Sequence, residues 1–417
     1  MKKLLLLCCV LAIALSPLAA IKTGKSIFYA DSYMLRAHGV EAAYWNPANI
    51  DMGTYEEIWL PGVNTGIYVN NNALDLDTYN YIMGKERLDD ADKELILGKL
   101  DGSLRASFSG NSSIIGYAVK KISVSSSLTY VGKMALSEQY LDLMLYGNTD
   151  KEYIFDKHAT DIAALSFTDF TLGMGGYPVP YLPENFPPIR FGFSASLLAG
   201  VGDVHLDEYN GIIRRSLDSG LYLYQDVDLH TALGGVGFKG MLGFASNPLP
   251  NLEVGLTLDN IFGGIYWSML RENQKLNFEA DSIYIANIDE DFYTQTNETV
   301  DIPAYTTTLP MELRMAALWT SQYVNLSTDY TQGFKNSLLT SKVGKLSFGA
   351  QFIPVSFLPV SFGIELGNSK NPWRTSYGIS LRSVTGELGI ALQSYDSIVP
   401  GYKSKGIAFG SFIRIWF

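Results

Sequence analysis

A chain of 417 residues, 47% hydrophobic and 18% charged, carries too much apolar side chain to stay disordered. Its formal net charge of −11 leaves no basic face for the phosphates of a nucleic acid. After the first twenty positions there is no run of about 18 apolar residues, so no membrane-spanning helix is expected.

The amino terminus reads as an export signal. Lys2 and Lys3 give a positive start, Leu4 to Leu15 a short apolar core, and Pro17-Leu18-Ala19-Ala20 a cleavage site, so 1–20 is expected to be removed. Cys8 and Cys9 are the only two cysteines and lie inside that core, where Leu7 replaces the small residue a lipoprotein needs. The mature protein is therefore expected to hold no disulfide, thiolate metal site or cysteine nucleophile. Residues 21–61 follow, ahead of the alternation that begins at Gly62.

From Gly62 onward the chain repeats with period two, the pattern of strands with two unlike faces. Leu252, Val254, Leu256 and Leu258 alternate with Glu253, Gly255, Thr257 and Asp259; Val324, Leu326, Thr328 and Tyr330 alternate with Asn325, Ser327 and Asp329. Val360, Phe362, Ile364 and Leu366 alternate with Ser361, Gly363, Glu365 and Gly367, and Leu388, Ile390 and Leu392 with Gly389, Ala391 and Gln393. The second face is small and polar, with isolated charges, which suits a crowded lumen better than a solvated sandwich face. Strands are expected near 62–71, 103–119, 122–132, 159–175, 189–202, 221–246, 252–270, 311–319, 323–331, 345–352, 360–367, 374–382, 387–394 and 406–417. Gly110-Asn111-Ser112 leaves open a turn inside the second. The count is about fourteen, an even number.

The connections add a second regularity. Expected inner turns are Lys120-Lys121, 176–188, Asn247 to Asn251, Ser321-Gln322, Ile353 to Pro359 and Ser383 to Gly386. Outer loops are expected at 72–102, 133–158, 203–220, 271–310, 332–344, 368–373 and 395–405. The long connections fall on one side, apart from the proline-rich 176–188 and the short 368–373. Helical spacing within Lys85 to Leu100 and Ser137 to Tyr146 predicts short helices in two outer loops. The fold class is thus all-β: a closed antiparallel transmembrane barrel over 62–417, in a bacterial outer membrane.

In the final strand Ile407, Phe409, Ser411, Ile413 and Ile415 share a face with the terminal Phe417. That pattern resembles the sorting signal read by the outer-membrane assembly machinery. Trp416 and Phe417 also fit an interfacial aromatic girdle.

The stretch Arg36-Ala37-His38-Gly39-Val40-Glu41-Ala42-Ala43-Tyr44-Trp45-Asn46-Pro47-Ala48 resembles the N-terminal plug motif of FadL-like outer-membrane barrels. That superfamily includes long-chain fatty-acid transporters and the PorV-type barrels of a secretion system. The resemblance implies that 21–61 enters the barrel as a plug, with Arg36, Gly39, Trp45, Asn46, Pro47 and Ala48 as its motif. Asn before Pro favours a turn and Pro fixes one dihedral, so a rigid corner is chemically sensible. Asn70-Asn71-Asn72 suggests a branch apart from the classical transporters.

Glu253, Asp259, Glu312, Arg314, Asp329, Glu365, Arg382, Glu387 and Arg414 fall on the expected lumen face. Charges in such surroundings need partners, and the presence of both signs favours a network holding the plug over a selective ring. His38, His158, His205 and His230 show no metal-ligand spacing, so no metal is expected. Gly234-Gly235-Val236-Gly237 sits in a strand pattern and is no phosphate loop, and Asp228 with His230 singles out no nucleophile. Asp289-Glu290-Asp291 and the acids of 203–220 read as solvated loop, lacking calcium-loop spacing. Neither an enzyme nor a cofactor is expected. Two functions follow from the resemblance: passive transport of hydrophobic or amphipathic small molecules, or a non-transport interaction or secretion component. Expected partners are outer-membrane lipids, the assembly machinery, and a hydrophobic ligand or an exported protein, with no nucleic acid. A closed barrel has no free edge, so either a monomer or an oligomer is compatible.

Overall fold

The computed structural model describes residues 23–147, 151–183, 185–216, 220–283, 293–367 and 372–417. The expected signal segment 1–20, Asp289-Glu290-Asp291 and most of 368–373 lie outside them. The wall is one closed sheet of fourteen staves, each antiparallel to its neighbours. In chain order these are Glu56–Trp59 continued by Thr65–Asn71, then Ser103–Val119, Ile122–Ser137, Tyr153–Asp156 continued by Asp161–Pro178, Ile189–Ser216 and Gly220–Leu249. The seventh joins Leu252–Asp259, Gly263–Trp267 and Arg271–Ile283; the eighth joins Tyr293–Asp301, Tyr305–Leu309 and Glu312–Thr320. Val324–Gly333, Lys345–Phe352, Val360–Glu365, Arg374–Arg382, Gly386–Tyr395 and Gly406–Trp416 complete the ring. The last stave pairs with the first from Asn70↔Gly406 to Thr65↔Ser411 and again at Glu57↔Trp416. Glu56 and Phe417 exchange two backbone hydrogen bonds of 3.0 and 3.1 Å at the end of this seam. Among the described residues the closed wall leaves no free edge to recruit a foreign strand.

Burial is inverted relative to a soluble protein. On Gly386–Tyr395 the apolar Leu388, Ile390 and Leu392 are exposed, whereas Gln393 opposite them is buried. On Val324–Gly333, Leu326 is exposed while Ser327 and Asp329 are buried. Phe170, Leu197, Phe238, Met315, Phe348, Phe362 and Phe409 continue the exposed apolar surface around the wall. Such a surface is far larger than a soluble monomer exposes and is satisfied by a lipid environment.

Several elements depart from the sequence expectation. Pairing starts at Glu56, inside the segment assigned to 21–61. Ser103–Val119 is one strand across Gly110-Asn111-Ser112, with a bulge at Ser113/Ile115 instead of a turn. Much of 203–220 and 271–310 is strand, not loop: Ile189–Ser216 and Gly220–Leu249 form one hairpin, flanked by Arg271–Ile283 and Tyr293–Asp301. At about 3.3 Å per residue a strand of 28 residues spans roughly 90 Å, so this hairpin reaches well past any bilayer. Beyond lipid both faces can meet water, the apolar alternation lapses, and only the backbone ladder continues. The helix expected within Lys85 to Leu100 is shorter, Asp90–Gly98, and is preceded by an unexpected Leu76–Gly84; Glu138–Tyr146 matches its expectation. Asp75, Asp89 and Ser137 cap the three by accepting from the N–H groups of Thr78, Asp92 and Tyr140. Ile82, Ile96 and Leu145 pack the three helices together.

Candidate functional site

Residues 23–50 fill the bore. Gly24–Tyr29 is a 3-10 turn lying against Arg374–Arg382, Gly386–Tyr395, Gly406–Trp416 and the first stave. Pro47–Asn49 lies against Asp161–Pro178, Ile189–Ser216 and Gly220–Leu249, half the ring away. The chain between them therefore crosses the interior from wall to wall. Its corner is made locally by Asn46, whose Oδ1 accepts from Ala48 N–H at 3.1 Å while Nδ2 donates to the Phe244 carbonyl at 3.2 Å. Pro47 occupies the first position of the turn, where its missing donor costs nothing. The wall makes room with glycine: a Cβ at Gly175 or Gly192 would overlap the Pro47 carbonyl, and one at Gly378 would overlap the Phe28 ring.

Polar groups tie this segment to the wall. Asp329 accepts from Met34 N–H and from the Ser32 hydroxyl, both at 2.9 Å. Arg36 donates to Ser327 Oγ and the Asn325 carbonyl at 2.9 Å and stacks over Tyr29. Asp31 meets Arg374 at 2.7 Å, and Arg374 also holds Glu365 at 2.5 Å. Lys25 meets Glu387 at 3.1 Å, and Tyr44 donates to Asp169 at 2.8 Å. Trp45 donates to Thr23 Oγ1 at 3.1 Å and lies edge-on to Tyr33, with the Arg314 guanidinium over its ring at 4.5 Å. Burial pushes the Asp31 carboxyl up, but Arg374 and Ser26 outweigh it and hold the group below its ordinary range. Burial leaves Glu41, which accepts from Tyr33, above its ordinary range despite Lys25 and Arg414.

Not all of the charges read from the sequence touch the plug. Asp329, Glu387 and Arg314 do so directly, and Glu365, Glu312, Glu253, Arg382 and Arg414 each through one partner. Glu312 pairs with Arg314 at 2.7 Å, and Asp259, also buried, accepts from its neighbour Asn260. Glu253 meets Arg190 at 2.7 Å, which in turn donates to Asn49 Oδ1 at 3.4 Å, and Arg382 meets Glu387 at 3.3 Å. Arg414 forms a two-point pair with Glu57 at 2.8 and 3.0 Å, linking the last stave to the first. Glu57 also accepts from Val40 N–H, beside Gly39, whose φ of +62° favours glycine and whose added Cβ would overlap the Glu57 carboxylate. Phe409 and Ile407 are exposed on the outer face, Ile413 and Ile415 partly so, and Phe417 is exposed at the seam.

The sequence reading passed over Glu57, Arg374 and Asp169. Arg374 shares strand parity with Arg382 and was findable by that rule. Glu57 lies ahead of the alternation that begins at Gly62, and Asp169 is the single buried charge on its strand, between Phe167 and Thr171 on the inner parity.

Beside the plug lies an interior cavity of about 60 Å³, lined by Tyr44, Asp169, Lys239, Asn260, Leu309 and Arg314. At roughly 10–15 Å³ each it holds a few waters and no sizeable guest. Outside the wall, where the seventh stave breaks at Asn260 and the eighth at Pro310-Met311, a hollow of about 610 Å³ opens among Phe238, Phe262, Tyr266, Met311 and Phe334. Asn260 and Leu309 line both spaces. A second apolar hollow, of about 420 Å³, sits among Val69, Leu74, Leu76, Tyr79, Leu392 and Ile407.

No family model matches the chain, and no curated protein is similar to it in sequence. Among solved structures it is similar to a Pseudomonas aeruginosa FadL homologue at 10% identity, covering 97% of this chain and 98% of that one, with a TM-score of 0.45. The toluene transporter TbuX of Ralstonia pickettii matches at 8% identity over 91% and 94% of the two chains, TM-score 0.46. The toluene transporter TodX of P. putida matches at 9% identity over 96% and 97%, TM-score 0.47.

Proposed function

We propose that this chain is an outer-membrane barrel that passes hydrophobic or amphipathic small molecules passively, with the plug as its moving part. The observation that carries the reading is the shared lining: the apolar outer hollow and the interior cavity meet at Asn260 and Leu309. A guest that prefers lipid can rest against Phe262, Met311 and Phe334, while the plug's Tyr44 stands on the far side of the same partition. The resting interior is too small and too polar for such a guest, so passage requires Tyr44 and the Trp45-Asn46-Pro47 corner to shift. The apolar wall takes outer-membrane lipids as its surroundings, and the final strand is the part offered to the assembly machinery.

The test is uptake of a labelled amphipathic probe by cells carrying the protein in their outer membrane. Wild type is expected to raise uptake over cells without it, and Leu309→Trp to remove the gain while the folded barrel persists in the membrane. Equal uptake by the variant and wild type, or no gain from wild type, overturns the reading.

A further inference from the structure

His205 and His230 are 25 residues apart in sequence, with nothing in their spacing to join them. The hairpin register of Ile189–Ser216 with Gly220–Leu249 sets them directly opposite each other. His205 Nε2 and His230 Nδ1 stand 3.2 Å apart. Asp207 is the extra residue of a bulge between Leu206 and Glu208, and its carboxylate reaches both rings: Oδ1 lies 3.4 Å from His205 Nε2, and Oδ2 is bonded to His230 Nδ1. Among the described residues this is the one group of three or more such side chains whose donor atoms converge in this way.

We propose that His205, Asp207 and His230 form a site for a divalent transition ion of the zinc class. Two bonds of about 2.0–2.1 Å at a tetrahedral angle place their donors roughly 3.3 Å apart, close to the 3.2 and 3.4 Å found here. Two imidazoles and one carboxylate suit zinc, cobalt or nickel, whereas calcium and magnesium want an all-oxygen set. The surroundings supply outer support as well. Asp203 lies 4.0 Å from His205 Nδ1, the nitrogen turned away from the cluster. Asp203 is itself held by the Thr307 and Tyr305 hydroxyls at 2.6 and 3.1 Å, and the Tyr305 ring stacks on His230. A carboxylate behind a ligating histidine fixes the ring's orientation and raises its basicity. Ile302, Pro303 and Ala304 border a hollow of about 390 Å³ beside the cluster, leaving the fourth coordination position open to water. The ion would pin the two long strands Ile189–Ser216 and Gly220–Leu249 to each other where they leave the barrel.

The experiment is a titration of the full, metal-stripped protein in detergent with Co²⁺, read by the visible absorption of a four-coordinate ion and by competition with Zn²⁺. One Co²⁺ per chain is expected, displaced by Zn²⁺ but not by Ca²⁺ or Mg²⁺. Loss of a supporting partner costs about 10–100-fold in affinity and loss of a ligand at least the upper end of that, so His205→Ala and His230→Ala should each weaken binding by about 100-fold or more. Asp203→Asn should cost about tenfold, and the exposed His158→Ala nothing. His205→Gln, which keeps the ring's bulk and polarity without its ligand strength, guards against a folding defect; it should retain the barrel's heat-resistant gel mobility and still lose the absorption. The proposal is overturned if the His205→Ala/His230→Ala double variant binds as wild type does, or if Ca²⁺ competes as well as Zn²⁺.

Discussion

Asp329 is the most exacting place to probe how the plug is held. It is 2% exposed, and its two oxygens accept from Met34 N–H and Ser32 Oγ at 2.9 Å, both groups on residues with no exposed surface. Asp329→Ala removes both bonds and strands Met34 N–H in a space that water enters poorly, while the Ser32 hydroxyl falls back on Ser327 Oγ at 2.9 Å. At about 1–3 kcal/mol for the buried donor left unmade and about 1.5–3 kcal/mol for the hydroxyl's lost bond to a carboxylate, the docked plug loses about 3–5 kcal/mol. Asp329→Asn keeps one acceptor oxygen but turns an NH₂ toward the other donor, so it should lose about half as much. Native-state hydrogen exchange read by mass spectrometry separates the plug from the wall. Peptides covering 23–50 should exchange about a hundred to a few thousand times faster in Asp329→Ala, at 1.4 kcal/mol per tenfold. They should exchange about ten to a hundred times faster in Asp329→Asn, while the staves away from Val324–Gly333 keep their rates. Unchanged plug exchange, or the two substitutions acting alike, would refute the assignment of the anchoring to these two bonds.

Arg414→Ala leaves Glu57, which is wholly buried, with its strongest partner gone. Breaking such a pair costs about 3–5 kcal/mol, so the variant barrel should lose its heat-resistant gel mobility at a lower temperature than wild type, and an unchanged transition would count against the seam role. Arg374 holds the Asp31 carboxyl below its ordinary value of 3.8, so that contact stabilises docking above this pH and is lost as pH falls through the lower folded value. Plug exchange rates, corrected for intrinsic pH dependence, should therefore differ most between wild type and Asp31→Asn at pH 5, and the gap should narrow as pH falls below 3.8; a gap that does not narrow would show that the pair does not contribute.

All fourteen staves were legible because the signal they carry is physical and local. Leu326, Ile390 and Phe362 must face lipid while Ser327, Ala391 and Gly363 face the plug, and a period of two follows. The glycines on the inner parity looked like mere smallness; the structure shows that Gly363 and Gly378 are hollows cut to the shape of Tyr29 and Phe28. The outward continuation of Ile189–Ser216 past 202 was not legible, since Asp203, Asp207, Glu208, Arg214 and Arg215 interrupt the apolar alternation that marks its partner over 221–246. The cluster of His205, Asp207 and His230 was hidden for a different reason: a cross-strand pair depends on hairpin register, which a bulge at Asp207 shifts by one. Glu57 was concealed by a break in the first stave between Trp59 and Thr65.

The seam between Glu56 and Phe417 has a consequence for assembly. The ring can shut only when Gly406–Trp416 meets the first stave, whereas the stopper lies ahead of every stave in the chain. Its partners lie far along the chain, with Asp31 separated by 343 positions from Arg374 and Lys25 by 362 from Glu387. A cylinder completed around an empty bore would leave those charges facing one another without their counterparts, and every neighbour pairing in the circle would resist a late correction. The leading segment must therefore already be in place, like a cork around which a bottle is blown.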